Sequence, residues 1–120
     1  MMMPDGQAPP PAALRLTSSS VDGITVTAVD GLLDATTREQ FADHLSHASP
    51  SLILDLGEVT FMDSRALGLI VHHWKASCAA GGKFALVGVE YSRLQVMWIT
   101  GLVQILPLYG TLDEALASLA

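Results

Sequence analysis

The residues best placed to support regulated chemistry are Asp63 and Ser64, where an apolar run gives way to a stretch with helical spacing. Aspartate is a preferred N-cap, and a serine after it lies in the first turn, where free N–H groups and the helix dipole favour negative charge. A hydroxyl at that position can carry a phosphate group at little energetic cost. The dipeptide alone is more typical of an ordinary helix start than of a functional site. Its role therefore depends on the elements around it.

Ser64 lacks the sequence surroundings of a catalytic nucleophile. An activated serine needs a base within hydrogen-bond reach, and hydrolases of one large class hold it in a Gly-x-Ser-x-Gly turn. That motif is missing around Ser64, and His72 lies about two turns further along the predicted helix. We predict that the protein is not an enzyme and has no catalytic residues.

Two pairs of histidines raise the question of a metal site. His44 and His47 are three residues apart, a spacing that can place two imidazoles on one helix face, and His72 and His73 are adjacent. Neither pair has a cysteine or carboxylate at a spacing that completes a ligand set. We therefore predict no metal and no cofactor, with the histidines exposed or partly buried on helices.

The elements on either side of Ser64 have distinct patterns. Residues 51–56 form a short, almost continuous apolar run that is typical of a strand covered on both faces. Residues 64–79 carry an apolar stripe of helical period, which Gly81-Gly82 ends. Its members are Leu67, Ile70, Val71, Trp74 and Cys78. This pattern predicts that Cys78, the sole cysteine, is a buried thiol and that Trp74 lies in or beside the core.

The rest of the chain alternates between strand and helix patterns. A hairpin is predicted at the start, and capping boxes formed by Thr36 with Glu39 and by Thr111 with Glu114 are predicted to open two helices. The predicted strands are 14–17, 24–29, 51–56, 83–89 and 105–108, and the predicted helices are 35–47, 64–79, 91–100 and a terminal helix after Thr111. Such alternation indicates an α/β fold with helices packed on a sheet.

The composition narrows the class of partner. The chain has 120 residues, half of them hydrophobic, and a formal net charge of -6 without any basic cluster, which argues against nucleic-acid binding. Its apolar runs are shorter than the roughly 18 residues of a membrane span, and it starts without a signal-peptide pattern. We therefore expect a cytoplasmic protein with no membrane insertion. Residues 1–12 are proline-rich and are predicted to be a flexible tail before a domain at 13–120.

Several spaced motifs together resemble the STAS domain family, and within it the bacterial anti-sigma factor antagonists. The resemblance spans roughly residues 13–119 and implies a mixed sheet of about four to five strands with about four helices. It rests on residues 31–34 (Gly-Leu-Leu-Asp), 59–64 (Val-Thr-Phe-Met-Asp-Ser) followed by Leu67-Gly68, 81–82 (Gly-Gly) and 100–102 (Thr-Gly-Leu).

The resemblance implies a role for each aspartate and for Ser64. In that family the hydroxyl residue after the motif aspartate, here Ser64, is phosphorylated by a partner that is both serine kinase and anti-sigma factor. Asp34 corresponds to an aspartate beside that site. The implied cycle has the dephosphorylated protein bind the anti-sigma factor and release a sigma factor, the kinase phosphorylate Ser64, and a serine phosphatase reverse the modification.

Two residues depart from the family pattern. Arg65 and Ala66 stand where the family usually has a small hydroxyl residue and then glycine. We expect Asp34, Asp63, Ser64, Arg65 and Ala66 to form the partner-binding site, with the Ala66 methyl group and the Arg65 cation meeting the partner. Arg65 can pair with a phosphate on Ser64 or with an acidic group of the partner.

The same two departures favour an alternative function. It is a STAS adaptor that is not phosphorylated, such as a scaffold subunit of a regulatory or membrane transport assembly. Oligomeric state stays open, and a homodimer is compatible with the sequence. The apolar segment 97–99 (Met-Trp-Ile) is either core, as Trp98 suggests, or in part an exposed surface for a partner or a second copy.

Overall fold

The structure is a computed structural model that describes residues 13–119. The predicted tail at 1–12 lies outside the described residues. The strands are β1 (Leu14–Val21), β2 (Ile24–Leu33), β3 (Leu52–Met62), β4 (Phe84–Val87) and β5 (Leu108–Tyr109). The helices are α1 (Arg38–Ser46), α2 (Ser64–Ala79), α3 (Gln95–Ile99) and α4 (Leu112–Leu119), and a short 3-10 helix spans Leu102–Gln104.

The five strands form one mixed sheet in the order β1-β2-β3-β4-β5. β1 pairs with β2 in antiparallel fashion, and every other neighbouring pair is parallel. Parallel neighbours need a crossover connection, and helices supply it here. The predicted α/β class, the mixed sheet and the four helices are confirmed.

A tight hairpin starts the sheet, as predicted. Its turn is Asp22-Gly23, and both residues have positive φ angles, 51° and 81°. A two-residue turn with both central residues in that region matches the twist of the strands that it joins. Both strands of the hairpin are longer than predicted, because β1 continues to Val21 and β2 continues to Leu33. β3 is also longer than predicted and continues to Met62.

The core has two parts, one on each face of the sheet. The larger part lies beneath α1, α2 and α3 and includes Phe41, Leu67 and Met97, all almost completely buried. The smaller part lies beneath α4, where Ala115 packs with Ile24, Ile53 and other sheet residues. Both faces of the central strands are therefore covered, which explains the continuous apolar runs of β3 and β4.

The two predicted capping boxes have different outcomes. At α4 the backbone N–H of Glu114 donates to Thr111 Oγ1 at 3.1 Å, so that this helix begins as predicted. At α1 the prediction is wrong, because the helix begins at Arg38 rather than Ala35. Thr36 instead donates its hydroxyl to Asp34 Oδ1 at 2.6 Å, and this local bond holds residues 34–36 in a turn before the helix.

The segment after α3 also differs from the prediction. The helix predicted at 91–100 is confined to Gln95–Ile99, and the strand predicted at 105–108 is found at Leu108–Tyr109. Leu106 still donates its N–H to the carbonyl of Leu102 at 2.9 Å, so the chain is turning where a strand was expected. Pro107 lies between this turn and β5, and it has no N–H to donate to a neighbouring strand.

The burial of α2 corrects one side-chain prediction. Leu67 and Ile70 are buried and Trp74 is half-buried, as the stripe predicts. Cys78 is exposed, contrary to the prediction of a buried thiol. Ser77 is buried at this end of the helix, where it lies beside the segment that joins α1 to β3. Gly81, with a φ of 76°, follows the helix and confirms the predicted stop.

Candidate functional site

The candidate site lies at the carboxyl ends of two parallel strands, β2 and β3. Leu33 ends β2 opposite Met62, which ends β3, and the N–H of Asp63 donates to the Leu33 carbonyl at 2.9 Å. Asp34 and Asp63 therefore leave the sheet from adjacent strands. A single residue, Asp63, separates β3 from α2, so the sheet fixes the start of the helix directly.

Asp63 is the N-cap of α2, as predicted. Its backbone is extended, with φ -93° and ψ 173°, and its Oδ1 accepts the N–H of Ala66 at 2.8 Å. Its carbonyl accepts the N–H of Leu67 at 3.1 Å. The first helical residues, Ser64 and Arg65, have no carbonyl one turn earlier within the helix, so their N–H groups are available to solvent or a ligand.

The three residues after Asp63 have different environments. Ser64 and Arg65 are exposed, so the hydroxyl that was predicted to carry a phosphate is accessible. Ala66 is completely buried. This corrects the expectation that its methyl group meets a partner, because the side chain points into the core, four residues before the equally buried Ile70.

Asp34 forms a tight turn rather than a helix cap. Its Oδ1 accepts both the hydroxyl of Thr36 and the backbone N–H of Thr36, at 2.6 and 2.9 Å. These hydrogen bonds to Thr36 stabilise the carboxylate and hold the pKa of Asp34 below its usual value. The residue is thus a fixed negative charge where β2 ends, next to the strand that leads to Ser64.

A groove of about 470 Å³ borders Ser64. One side comes from the end of β3, with Phe61, and the other from α3, with Val96 and Ile99. Phe61 is 49% exposed and Ile99 is 80% exposed, unusually open positions for large apolar side chains. In the segment that was predicted to be either core or partner surface, Met97 is buried, Trp98 is half-buried and Ile99 is exposed.

Arg93 holds one wall of this groove, and the sequence reasoning missed it. Its guanidinium donates to the carbonyls of Leu56 and Val59 on β3 and to the carbonyl of Gly88, at 2.9 Å for the last. It also pairs with Glu90 at 2.9 Å. Arg93 thereby ties the segment before α3 to β3. No sequence motif marks these bonds, because most of the acceptors are backbone carbonyls.

The histidines do not assemble into a metal site. Within residues 13–119 there is no group of three or more His, Cys, Asp or Glu side chains that could hold a metal ion. His73 is half-buried beside His72, and burial, together with the charge of His72, lowers the pKa of His73. His44 instead contacts β1 through Ser18 Oγ at 2.6 Å. Across the same residues, no helix is long and apolar enough to cross a membrane.

The sequence of the chain matches a known domain family. The family model for the STAS domain matches residues 16–115, which is most of the chain. The chain belongs to the STAS domain family. The family resemblance stated from the motifs is therefore confirmed, and the matched range includes the whole site from Asp34 to Ile99.

Two relatives carry the name of anti-sigma factor antagonist. One, from Thermotoga neapolitana, carries that name provisionally and is 37% identical over 76 residues, which are 63% of this chain and 67% of the relative. Another, an anti-sigma F factor antagonist from Paenibacillus polymyxa, is 28% identical over 102 residues, which are 81% of this chain and 87% of the relative. The STAS proteins that this chain resembles in sequence thus include anti-sigma factor antagonists.

Solved structures share the fold. The Thermotoga maritima protein provisionally named an anti-sigma factor antagonist superposes with a TM-score of 0.78 at 26% identity, over 87% of this chain and 93% of that one. The phosphorylated form of SpoIIAA, a Bacillus cell fate determinant, superposes with a TM-score of 0.66 at 23% identity, over 90% of this chain and 100% of SpoIIAA. The five-stranded sheet with four helices is therefore that of STAS proteins.

Proposed function

We propose that this chain is an anti-sigma factor antagonist whose binding to its partner is switched off by phosphorylation of Ser64. The observation that carries the proposal is the exposed Ser64 hydroxyl at the start of α2, on the rim of a groove that presents Phe61 and Ile99. The names of the sequence relatives support the antagonist role. That the fold also occurs in a phosphorylated protein, SpoIIAA, supports a modification site in this kind of domain.

In this proposal the partner is an anti-sigma factor that is also a serine kinase. The dephosphorylated chain binds it, and the partner releases its sigma factor. Phe61 and Ile99 supply apolar contact area that water covers in the free chain. Arg65, exposed beside Ser64, supplies a cation for an acidic group of the partner. The kinase then transfers a phosphoryl group from ATP to the Ser64 hydroxyl, and a serine phosphatase removes it by hydrolysis.

The phosphate acts across the interface rather than on the fold. It adds about -1.5 to -2 charges at Ser64, the residue that follows Asp63. Burial of this charge against a partner requires its desolvation, and a mismatch of charge across an interface costs several kcal/mol. A loss of about 2.8 kcal/mol already lowers affinity a hundredfold. That change is sufficient for an exchange of partners.

The experiment that tests this proposal compares two serines of the same groove. Ser64 and Ser92 are both exposed and both line it. We expect Ser64→Glu to weaken binding of the purified anti-sigma factor strongly and Ser92→Glu to weaken it much less, measured by calorimetry. Equal losses would show a general effect of added negative charge on the groove. Unchanged binding by Ser64→Glu, combined with unchanged binding by the enzymatically phosphorylated chain, would overturn the switch.

A further inference from the structure

The outer edge of β1 is the longer of the two edges at which the sheet ends. The sheet ends at β1 on one side and at the two-residue β5 on the other. Within residues 13–119, no strand pairs with the outer side of β1, although the strand has eight residues. It keeps an unbroken register with β2 from Leu14 opposite Gly31 to Val21 opposite Ile24. Its residues 16–20 contain no proline, charged side chain or bulge, which are devices that ordinarily protect an edge from pairing.

The turn of the hairpin determines which backbone groups point outward. In a two-residue turn the residues on either side, Val21 and Ile24, bond to each other. Bonding to β2 then alternates along the strand, so the even-numbered residues direct their N–H and C=O groups away from the sheet. At Leu14 the carbonyl accepts Gln40 Nε2 at 3.1 Å, which covers the start of the edge. The open edge therefore runs from Leu16 to Ser20.

The side chains of this edge suit pairing with a second copy of the same strand. Residues 17–20 are Thr-Ser-Ser-Ser, so two copies meet without like charges despite a formal net charge of -6 each. Arg15 lies at one end of β1 and Asp22 follows the other end. Antiparallel pairing brings opposite ends together, so Arg15 of each copy comes near Asp22 of the other. Arg15 is available, because its 3.7 Å contact with Asp30 joins two side chains that are more than half exposed.

We propose that β1 is a self-association edge at which two copies of this chain join their sheets by antiparallel pairing of residues 16–20. Ser18 of each copy faces Ser18 of the other across the two-fold axis, and Leu16 faces Ser20. Three facing pairs with two bonds each give about six backbone hydrogen bonds. The groove beside Ser64 takes no lining residue from β1, so the pairing edge and the groove are separate surfaces of the chain. The proposal is thus independent of the proposed switch at Ser64.

Disulfide trapping tests the register directly. Two residues that face each other in a hydrogen-bonded antiparallel pair have Cα atoms about 5.5 Å apart, within the range of a disulfide. In a Cys78→Ser background, which removes the exposed native thiol, we expect Ser18→Cys to form a covalent dimer under mild oxidation. The control is Ser19→Cys, which is also exposed but faces Thr17 in this register. Equal cross-linking of both variants would indicate random collision and would overturn the proposal.

A second test needs no new thiol. Ser20→Pro removes a backbone N–H that points away from the sheet and makes no hydrogen bond to β2, whereas Ser20→Ala keeps this N–H. We expect the unmodified chain and Ser20→Ala to approach twice the 12.7 kDa monomer mass with rising concentration in sedimentation equilibrium. We expect Ser20→Pro to remain a monomer with an unchanged circular dichroism spectrum. A wild-type chain that stays monomeric at the highest attainable concentration, or a folded Ser20→Pro that dimerises as well as wild type, contradicts the proposal.

Discussion

At the scale of single residues, Asp63 sets the geometry of the site. It caps α2 through the 2.8 Å bond from the Ala66 N–H and is itself held by the Leu33 carbonyl. We expect Asp63→Ala to lower the free energy of unfolding by about 1 kcal/mol, the usual loss for a missing cap, and Asp63→Asn to lower it by less. Urea unfolding measures both. An alanine variant as stable as wild type would show that this cap does not stabilise the helix.

Asp34 offers a pH-dependent test at the same scale. Its pKa is lowered chiefly by the hydrogen bonds from Thr36. A lowered pKa in the folded state contributes stability that is present above the pKa of the unfolded chain and is lost as pH falls through the folded pKa. We expect Thr36→Val, which removes the hydroxyl donor, to move the pKa of Asp34 up towards its usual value, and Thr36→Ser to leave it nearly unchanged. NMR titration of the Asp34 carboxyl carbon reads this out. An unchanged titration in Thr36→Val would contradict the assigned cause.

The sequence predicted residues whose roles are local and missed those whose partners are distant. Asp63 was identifiable as a cap because the preference depends on the next three residues alone. Ala66 was misplaced, although its spacing of four from Ile70 signals a shared helix face. Arg93 could not be found, because the carbonyls of Leu56 and Val59 that it binds are more than 30 positions away in the chain.

At the scale of elements, Arg93 connects β3 to the segment that leads into α3. Its hydrogen bonds to carbonyls of Leu56, Val59 and Gly88 are charge-assisted, and such bonds contribute about 1.5–3 kcal/mol each when formed in a protein. We expect Arg93→Ala to lower the free energy of unfolding by at least about 2 kcal/mol. Arg65→Ala, which removes an exposed arginine, should change it by less than about 0.5 kcal/mol.

Urea unfolding of the two arginine variants side by side is the measurement. We also expect Arg93→Ala to increase amide hydrogen exchange in residues 88–99, because the wall of the groove loses its tie to β3. If both variants lose the same stability, the hydrogen bonds of Arg93 do not hold that wall. If exchange in α3 stays slow, other contacts position the helix.

Helices and turns with local sequence signals were predicted better than strand segments that are defined by pairing with a neighbouring strand. The hairpin and α2 were predicted well, because a Gly-containing turn and an apolar stripe are local signals. The second halves of β2 and β3 were missed, because residues such as Glu58 are polar and join the sheet through pairing with the neighbouring strand, here opposite Asp30. β5 was displaced, because only its pairing with β4 defines it.

At the scale of the whole molecule, the proposed phosphorylation must leave the fold intact. The start of α2 favours negative charge by about 0.3–1 kcal/mol at an exposed site, and this offsets repulsion from Asp63 nearby. We expect phosphorylation to change the Tm of the chain by less than the Asp63→Ala substitution changes it. Calorimetry of the two forms checks this. A phosphorylated chain that unfolds at a much lower temperature would mean that the modification acts by disrupting the domain.

The fold class was predicted more reliably than the bounds of elements or the roles of residues. The alternation of strand and helix patterns was sufficient for the α/β fold class, since that class depends on the order of elements rather than on their exact ends. The STAS family was identified from the resemblance of several spaced motifs. The edge at β1 could not be recognised in advance, because an open edge is defined by the position of every other strand. Cytoplasmic location and the predicted tail at 1–12 stay predictions.

The proposed function requires Ser64 to be a regulated phosphorylation site. The most direct measurement is the intact mass of the full chain purified from its own host, before and after phosphatase treatment, with Ser64→Ala in parallel and Ser92→Ala as the matched control. We predict one phosphatase-sensitive phosphoryl group in wild type and Ser92→Ala, and none in Ser64→Ala. An unmodified wild-type chain under both growth and stress conditions, or a phosphoryl group that persists in Ser64→Ala, would contradict the proposed function.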